Sequence, residues 1–278
     1  CMPLSLVTEN NLPMPLFIKG DDTDYGLRTI KQMTTLNGIG IWHEAFDTKY
    51  SPHLEYFWAR NDFIVNLRHG YIKNRFSVIW NLLLKVVRSM LMHRYEVADF
   101  IIKAINDHLK GIEFYIDQEE DVNLKQLLAR NPKMLTRKQL EEQGYEVSER
   151  RLIQNRNYYK PRHRFFTDLI TLNGLLLCSF LYNKKPDTVD LVKCRPCEYY
   201  RKREVIHWNQ NDQRGYVTKV SRVKFFSGLL KYFLAGAKYL IISGRVNRTY
   251  LKRIDEITSL SYWENHLGIA KQNSTRSD

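Results

Sequence analysis

Three carboxylates fall within four residues, at Asp21, Asp22 and Asp24. That is more than a helix cap requires. Carboxylates so close repel one another unless they share a proton, a cation or a sugar hydroxyl, and this raises the proton affinity of at least one of them. Such a cluster can supply a general base or hold a hard metal ion. His43, directly after Trp42, adds a neutral imidazole that can ligate a divalent metal, preferably one softer than magnesium. Arg60 and Asn61 add a guanidinium and a carboxamide side by side. They read either as an exposed helix face or as a guanidinium that neutralises phosphate or orients a nearby loop. Taken singly, the Asp21–Asp22 pair is a cap with a solvated face, and His43 is structural.

The neighbouring sequence must position these groups. LFIK, residues 16–19, is a short apolar run of strand type, and YGLRTIKQ behind Asp24 has helical residues without proline. The acids therefore sit where a strand gives way to a helix. TTLNGIGIWH, residues 34–43, alternates loosely and has two glycines, as a second strand beside the first would, with His43 at its end. The expectation is a short helix over residues 1–11 and strand, helix, strand over 12–47. A helix over 52–70 then has Leu54, Phe57, Trp58, Ile64, Val65 and Leu67 as its apolar positions.

The remaining chain reads as mostly helical. Residues 75–116 form the longest helical stretch, with Asn81, Lys85, Arg88 and Ser89 on one narrow polar stripe and a broad apolar face that should be buried. A break is expected near Gly111. Glu119, Glu120 and Asp121 open a further helix as acids in a first turn should, without a metal role, and residues 136–144 form another helix stopped by Gly144. Residues 149–166 mix arginines with tyrosine and phenylalanine, suiting phosphate-bearing partners. Strands follow over 187–210, with a polar turn at 209–215 that closes a small hairpin. Cys194 and Cys197 read as reduced structural thiols or, alternatively, as half of a zinc site with Cys178 and His207. Over 219–257 a helix returns. Leu229, Leu230, Phe233, Leu234, Ala237, Leu240 and Ile241 make one face, which either packs on the core or lies on an anionic membrane.

The strings GDDTDYGLR (20–28), GIGIWHEAFDTKYS (38–51) and EYFWARND (55–62), in this order, resemble the C-terminal half of the catalytic domain of family 2 glycosyltransferases with a GT-A fold. Within that family the resemblance is to the galactofuranosyltransferase-like and rhamnosyltransferase-like enzymes that build cell-envelope polysaccharide. It is dense over residues 1–70 and looser afterwards. It implies an α/β fold with a partial, Rossmann-like GT-A remnant over 1–70. A mainly helical C-terminal region would follow over 71–278, with the small hairpin near 187–220. By the same resemblance Asp22 is the general base, Asp21 binds the acceptor, Asp24 gives acceptor contacts or support, and His43 ligates the metal. Arg60 and Asn61 lie near the active site. The resemblance further implies inverting transfer from a UDP- or dTDP-sugar to a glycan or polyprenyl-linked acceptor, with manganese or magnesium as cofactor. The nucleotide-binding half and its Asp-x-Asp motif do not precede Cys1, so a truncated or split enzyme, inactive alone, is the expectation.

Composition agrees with a globular chain. In 278 residues, 44% are hydrophobic, which is enough for a sizeable core, and a net charge of +13 predicts an anionic partner. Four cysteines do not make a disulfide framework, so a reducing, cytoplasmic setting is expected, with peripheral contact at the inner face of the cell membrane. Nucleic acid is not expected, because no binding motif accompanies the basic run. A noncatalytic interaction module and a basic helical nucleic-acid binder are the alternative readings, and an oligomer is left open.

Overall fold

A computed structural model describes residues 4–30, 37–38, 40, 42, 50–148, 167–168 and 170–269. Among them are nine α-helices and one small sheet. The helices are α1 (Asp21–Thr29), α2 (Leu54–Arg68), α3 (Arg75–Leu91), α4 (Tyr95–His108), α5 (Ile112–Asp117), α6 (Glu120–Leu128), α7 (Arg137–Glu142), α8 (Arg222–Arg253) and α9 (Leu260–His266).

Helix α4 is the hub. Its residues Val97, Ala98, Ile101 and Ile105 are buried against Ile79, Val86 and Met90 of α3 and Tyr232 and Tyr239 of α8. His108, at its end, lies fully inside, with ring centroids 4.7 Å from Phe63 and 4.9 Å from Tyr250. Burial pushes its pKa down to about 4, so it packs as a neutral ring. The helical stretch expected from 75 to 116 is broken twice. Gly111, at φ 95°, gives the expected break, whereas His93, at φ 58°, gives one that neither glycine nor proline announces. The longest helix is instead α8, 32 residues.

The sheet has the order β1-β4-β3-β2, with β1 Leu135–Thr136, β2 Asp187–Asp190, β3 Glu204–Asn209 and β4 Arg214–Lys219. β3 and β4 form the expected hairpin, and β2 runs parallel to β3. β3 is buried from Val205 to Asn209, as a strand covered on both faces must be. Gly215 stands opposite Trp208, and a Cβ there would lie 2.4 Å from the His207 carbonyl oxygen. Only glycine fits. Helix α7 begins at Thr136, whose hydroxyl accepts from Gln139 N while the Gln139 side chain accepts from Thr136 N.

Helix with a small mixed sheet agrees with an α/β assignment, but all described strands fall between residues 135 and 219. The strand expected over 12–19 is absent. This segment is irregular and braided into the end of the chain: Leu12 N donates to Thr258 O, Leu260 N to Glu9 O and Trp263 Nε1 to Pro13 O. Pro13 and Pro15 lack the N–H groups that a sheet ladder needs. Met14 and Leu16 are buried with Ile64, Tyr250 and Ile257. The second expected strand falls largely outside the described residues, as does the basic segment 149–166.

Candidate functional site

The backbone leading into α1 is tightly wound. Ile18 has φ 71° and Gly20 has φ 92°. A β-branched residue in the left-handed region is strained by about 1–2 kcal/mol. What holds it there is Asn61 of α2, whose Nδ2 donates to the carbonyls of Phe17 (3.1 Å) and Lys19 (2.6 Å). Asn61 is itself fixed, because its Oδ1 accepts from Arg60 Nε at 3.0 Å. One buried carboxamide therefore joins the rim loop to α2.

Arg60 is not on the rim. It is 2% exposed, pairs with Glu120 at 2.5 Å and is enclosed by the rings of Tyr56, Phe57 and Tyr115 at 5.2–5.4 Å. Burial works against its charge, but Tyr115 and Glu120 outweigh burial and its pKa lies above the ordinary value. Its Nε and Nη1 bond to Asn61 and Glu120, while Nη2 is buried without a hydrogen-bond partner among the described residues. Through Asn61 the guanidinium bears on the loop before α1.

The three aspartates separate. Asp21 and Asp22, in the first turn of α1, are exposed. Asp22 Oδ1 accepts from Thr23 N at 2.7 Å, which fixes its rotamer. Asp24, two residues on, is fully buried: Arg28 Nε lies 2.8 Å and His69 Nε2 3.0 Å from its carboxylate, with Arg68 at 3.9 Å. Asp24 therefore stands behind the exposed pair, in the supporting position. It ties α1 to the end of α2, while Arg28 also donates to Leu12 O.

Two hollows meet at Asp21. The smaller, of about 530 Å³, is lined by Lys19, Asp21, Asp22, Trp58, Asn61 and Asp62. The larger, of about 670 Å³, has Asp21, Asp117, Glu119 and Asp121 as acids and Tyr115 and Trp263 as rings. Trp58 and Asp62 were not anticipated as site residues. Trp58 is 45% exposed, with Lys19 Nζ 4.8 Å and Lys85 Nζ 5.0 Å from its ring centroid. Helical periodicity placed it among core positions, and its large apolar indole argued the same way. Asp62 is exposed as a residue. Crowding by protein around its carboxyl nevertheless raises its pKa, against Lys85 and with Glu55.

His43 lies outside the described residues. Among the described residues no three His, Cys, Asp or Glu side chains converge as a metal site. The zinc alternative, whose four residues are all described, is corrected by this. Cys178 is exposed and Cys194 buried, and His207 is held by Thr218 Oγ1 at 2.8 Å and stacked on Tyr216. An exposed carboxylate pair, a third carboxylate with raised pKa and an indole face can together accept a proton from a neutral hydroxyl-bearing ligand and seat its apolar face.

No family model matches the chain. Over 121 residues it is 34% identical to galactofuranosyltransferase GlfT2 of Mycobacterium tuberculosis (strain ATCC 25618 / H37Rv), a match covering 41% of this chain and 19% of the relative. GlfT2 of Mycolicibacterium smegmatis (strain ATCC 700084 / mc(2)155) is likewise 34% identical over 121 residues, covering 41% of this chain and 18% of the relative. The matched part is thus under a fifth of the length of these relatives, and over that part the chain is related to glycosyltransferases.

Proposed function

We propose that the chain carries the acceptor side of a glycosyltransferase site, a C-terminal GT-A portion over residues 1–70 joined to a mainly helical region over 71–278. The reaction is inverting transfer of a sugar from a UDP- or dTDP-sugar to a glycan or polyprenyl-linked acceptor. The acceptor oxygen bonds to the anomeric carbon as the bond to the nucleotide diphosphate breaks, and Asp22 takes the hydroxyl proton. Asp21 binds the acceptor at the junction of the two hollows, Trp58 offers a face for a sugar ring, and Asn61, held by Arg60, keeps the loop before Asp21 in place. Asp24 braces α1 from beneath. A divalent ion, manganese or magnesium, is part of the proposal, with His43 as one ligand. When bound it would offset charge on the departing diphosphate. The described residues do not by themselves assemble its site.

The observation that carries this reading is the exposed Asp21–Asp22 pair, presented by a strained and clamped loop, in a chain related over part of its length to galactofuranosyltransferases. The test is Asp22→Asn in the full-length polypeptide. Transfer should fall by about 10²–10⁴, the usual contribution of a general base, with thermal unfolding unchanged. Turnover within a factor of about two of the parent would remove Asp22 from the base role.

A further inference from the structure

The outer face of α3 and α8 is apolar where the core is not. Helix α8 buries Phe225, Tyr232, Ala235 and Tyr239, whereas the face made by Leu230, Phe233, Leu234 and Ile241 is 53–77% exposed. Core packing was the first expectation for this face; Leu229 and Leu240 meet it, packed against the core, while the other residues turn to solvent. Helix α3 buries the expected broad face through Ile79, Val86 and Met90, yet leaves Phe76, Trp80 and Leu84 50–58% exposed.

The two stripes form one surface. Arg75 Nη1 donates to Leu240 O, a Cβ at Gly236 would lie 3.0 Å from Ile79, and a Cβ at Gly228 would lie 2.9 Å from Met90. The helices therefore run antiparallel in close contact. Phe76 and Trp80 are one residue beyond Arg75 and Ile79, and Phe233 and Ala237 are one residue beyond Tyr232 and Gly236. In an antiparallel pair such a step turns both helices to the same side of the seam, here the solvent side.

Charge selects what covers it. The 17 residues of α3 and the 32 of α8 contain no Asp or Glu, and they carry three and eight Lys or Arg, respectively. Lys238 and Arg245 stand one turn beyond Leu234 and Ile241, so exposed cations continue the apolar rows. A second copy meeting this face through its own would oppose like charges along the whole contact, which disfavours self-association. Although α8 is long and apolar enough to cross a membrane, its inner face is packed on α4, so a crossing would strip the core.

We propose that this α3–α8 face lies flat on an anionic lipid bilayer, with the rings and leucines in the acyl boundary and the flanking lysines and arginines at the headgroups. This does not depend on the glycosyl-transfer reading. The test is cosedimentation with vesicles of phosphatidylcholine alone and of equal parts phosphatidylcholine and phosphatidylglycerol. Wild type should partition onto the anionic vesicles and release at high salt. Leu234→Gln/Ile241→Gln should weaken binding at least tenfold, and Lys238→Glu/Arg245→Glu should weaken it on anionic vesicles by a factor of about five or more per cation. Circular dichroism should show both variants folded, since all four side chains are exposed. Equal affinity for neutral and anionic vesicles, or no binding to either, would overturn the proposal. So would a dimer in sedimentation velocity that Leu234→Gln/Ile241→Gln dissociates.

Discussion

The rim of α1 and the outer face of α3 and α8 are built on opposite rules. At the rim, carboxylates are left in solvent, the backbone is wound through two left-handed residues, and a buried asparagine holds it in place. On the outer face the backbone is regular helix and carboxylates are absent. The net charge of +13 is thus spread unevenly. A hollow built to take a proton from a neutral hydroxyl would need acids, and the rim sets three beside Lys19. A surface that meets phosphate needs the reverse. The comparison also separates two kinds of departure from an ordinary soluble fold, backbone strain at the rim and unburied apolar area on the face.

If the rim is strained and clamped, the clamp should be its most sensitive point. Asn61→Leu keeps the branched shape and strands the carbonyls of Phe17 and Lys19 together with Arg60 Nε. At about 1–3 kcal/mol for each buried group left unpaired, part of it recovered by relaxation, a loss of about 3 kcal/mol in urea unfolding is expected, with transfer lost as well. A loss below about 1 kcal/mol would mean that the loop keeps its path unaided, and the contrast with the outer face would weaken.

A smaller effect, of opposite sign, is expected at Asp62. Its pKa is raised in the fold by burial, so the folded state holds its proton to higher pH than the unfolded chain does. Between the ordinary carboxylate pKa and the raised one the native state binds more protons, and stability falls as pH rises through that window. Asp62→Asn should therefore stabilise the chain slightly at neutral pH, and the gain should vanish below the ordinary carboxylate pKa. A gain that persists at low pH would come from packing instead. Stabilisation accompanied by loss of transfer is what a site residue kept at a cost to the fold would give.

Much of this was legible in the sequence, and the rest was hidden for identifiable reasons. The start of α1 at the acids, the Thr136 cap, the Gly111 break and the hairpin follow from local signals. The left-handed turn at His93 has no such signal, since its neighbours Met92 and Arg94 are as helical as any. Three aspartates within four residues look alike in composition. What separates Asp24 is its register, which turns it inward onto Arg28 and onto His69 of the next helix, a long-range fact. Arg60 read as a surface cation because burying a guanidinium is costly, and partners far along the chain, Tyr115 and Glu120, make it tolerable. Asn61 was singled out for its neighbourhood and proved to act on the loop backbone.

Helix α8 shows the limit of periodicity most plainly. Both of its faces are apolar, one by Phe, Tyr, Ala and Gly and the other by Leu, Phe and Ile, so the pattern finds two faces and does not say which is inside. The tyrosines decide it. Tyr232 donates to Ile79 O and Tyr250 to Gly111 O, partners that only the interior supplies, whereas the leucines ask for nothing that lipid or water could not accept. The smallest expected effect follows from this. Leu230→Gln, on the outer face, should change unfolding stability by no more than about 0.5 kcal/mol, as surface substitutions do. Tyr232→Leu, two residues on, should cost about 1–3 kcal/mol because it removes buried ring volume together with the hydroxyl's bond to the Ile79 carbonyl. If Leu230→Gln proved as costly as Tyr232→Leu, the outer leucines would already be covered within the chain, and the face would have no area left for a bilayer.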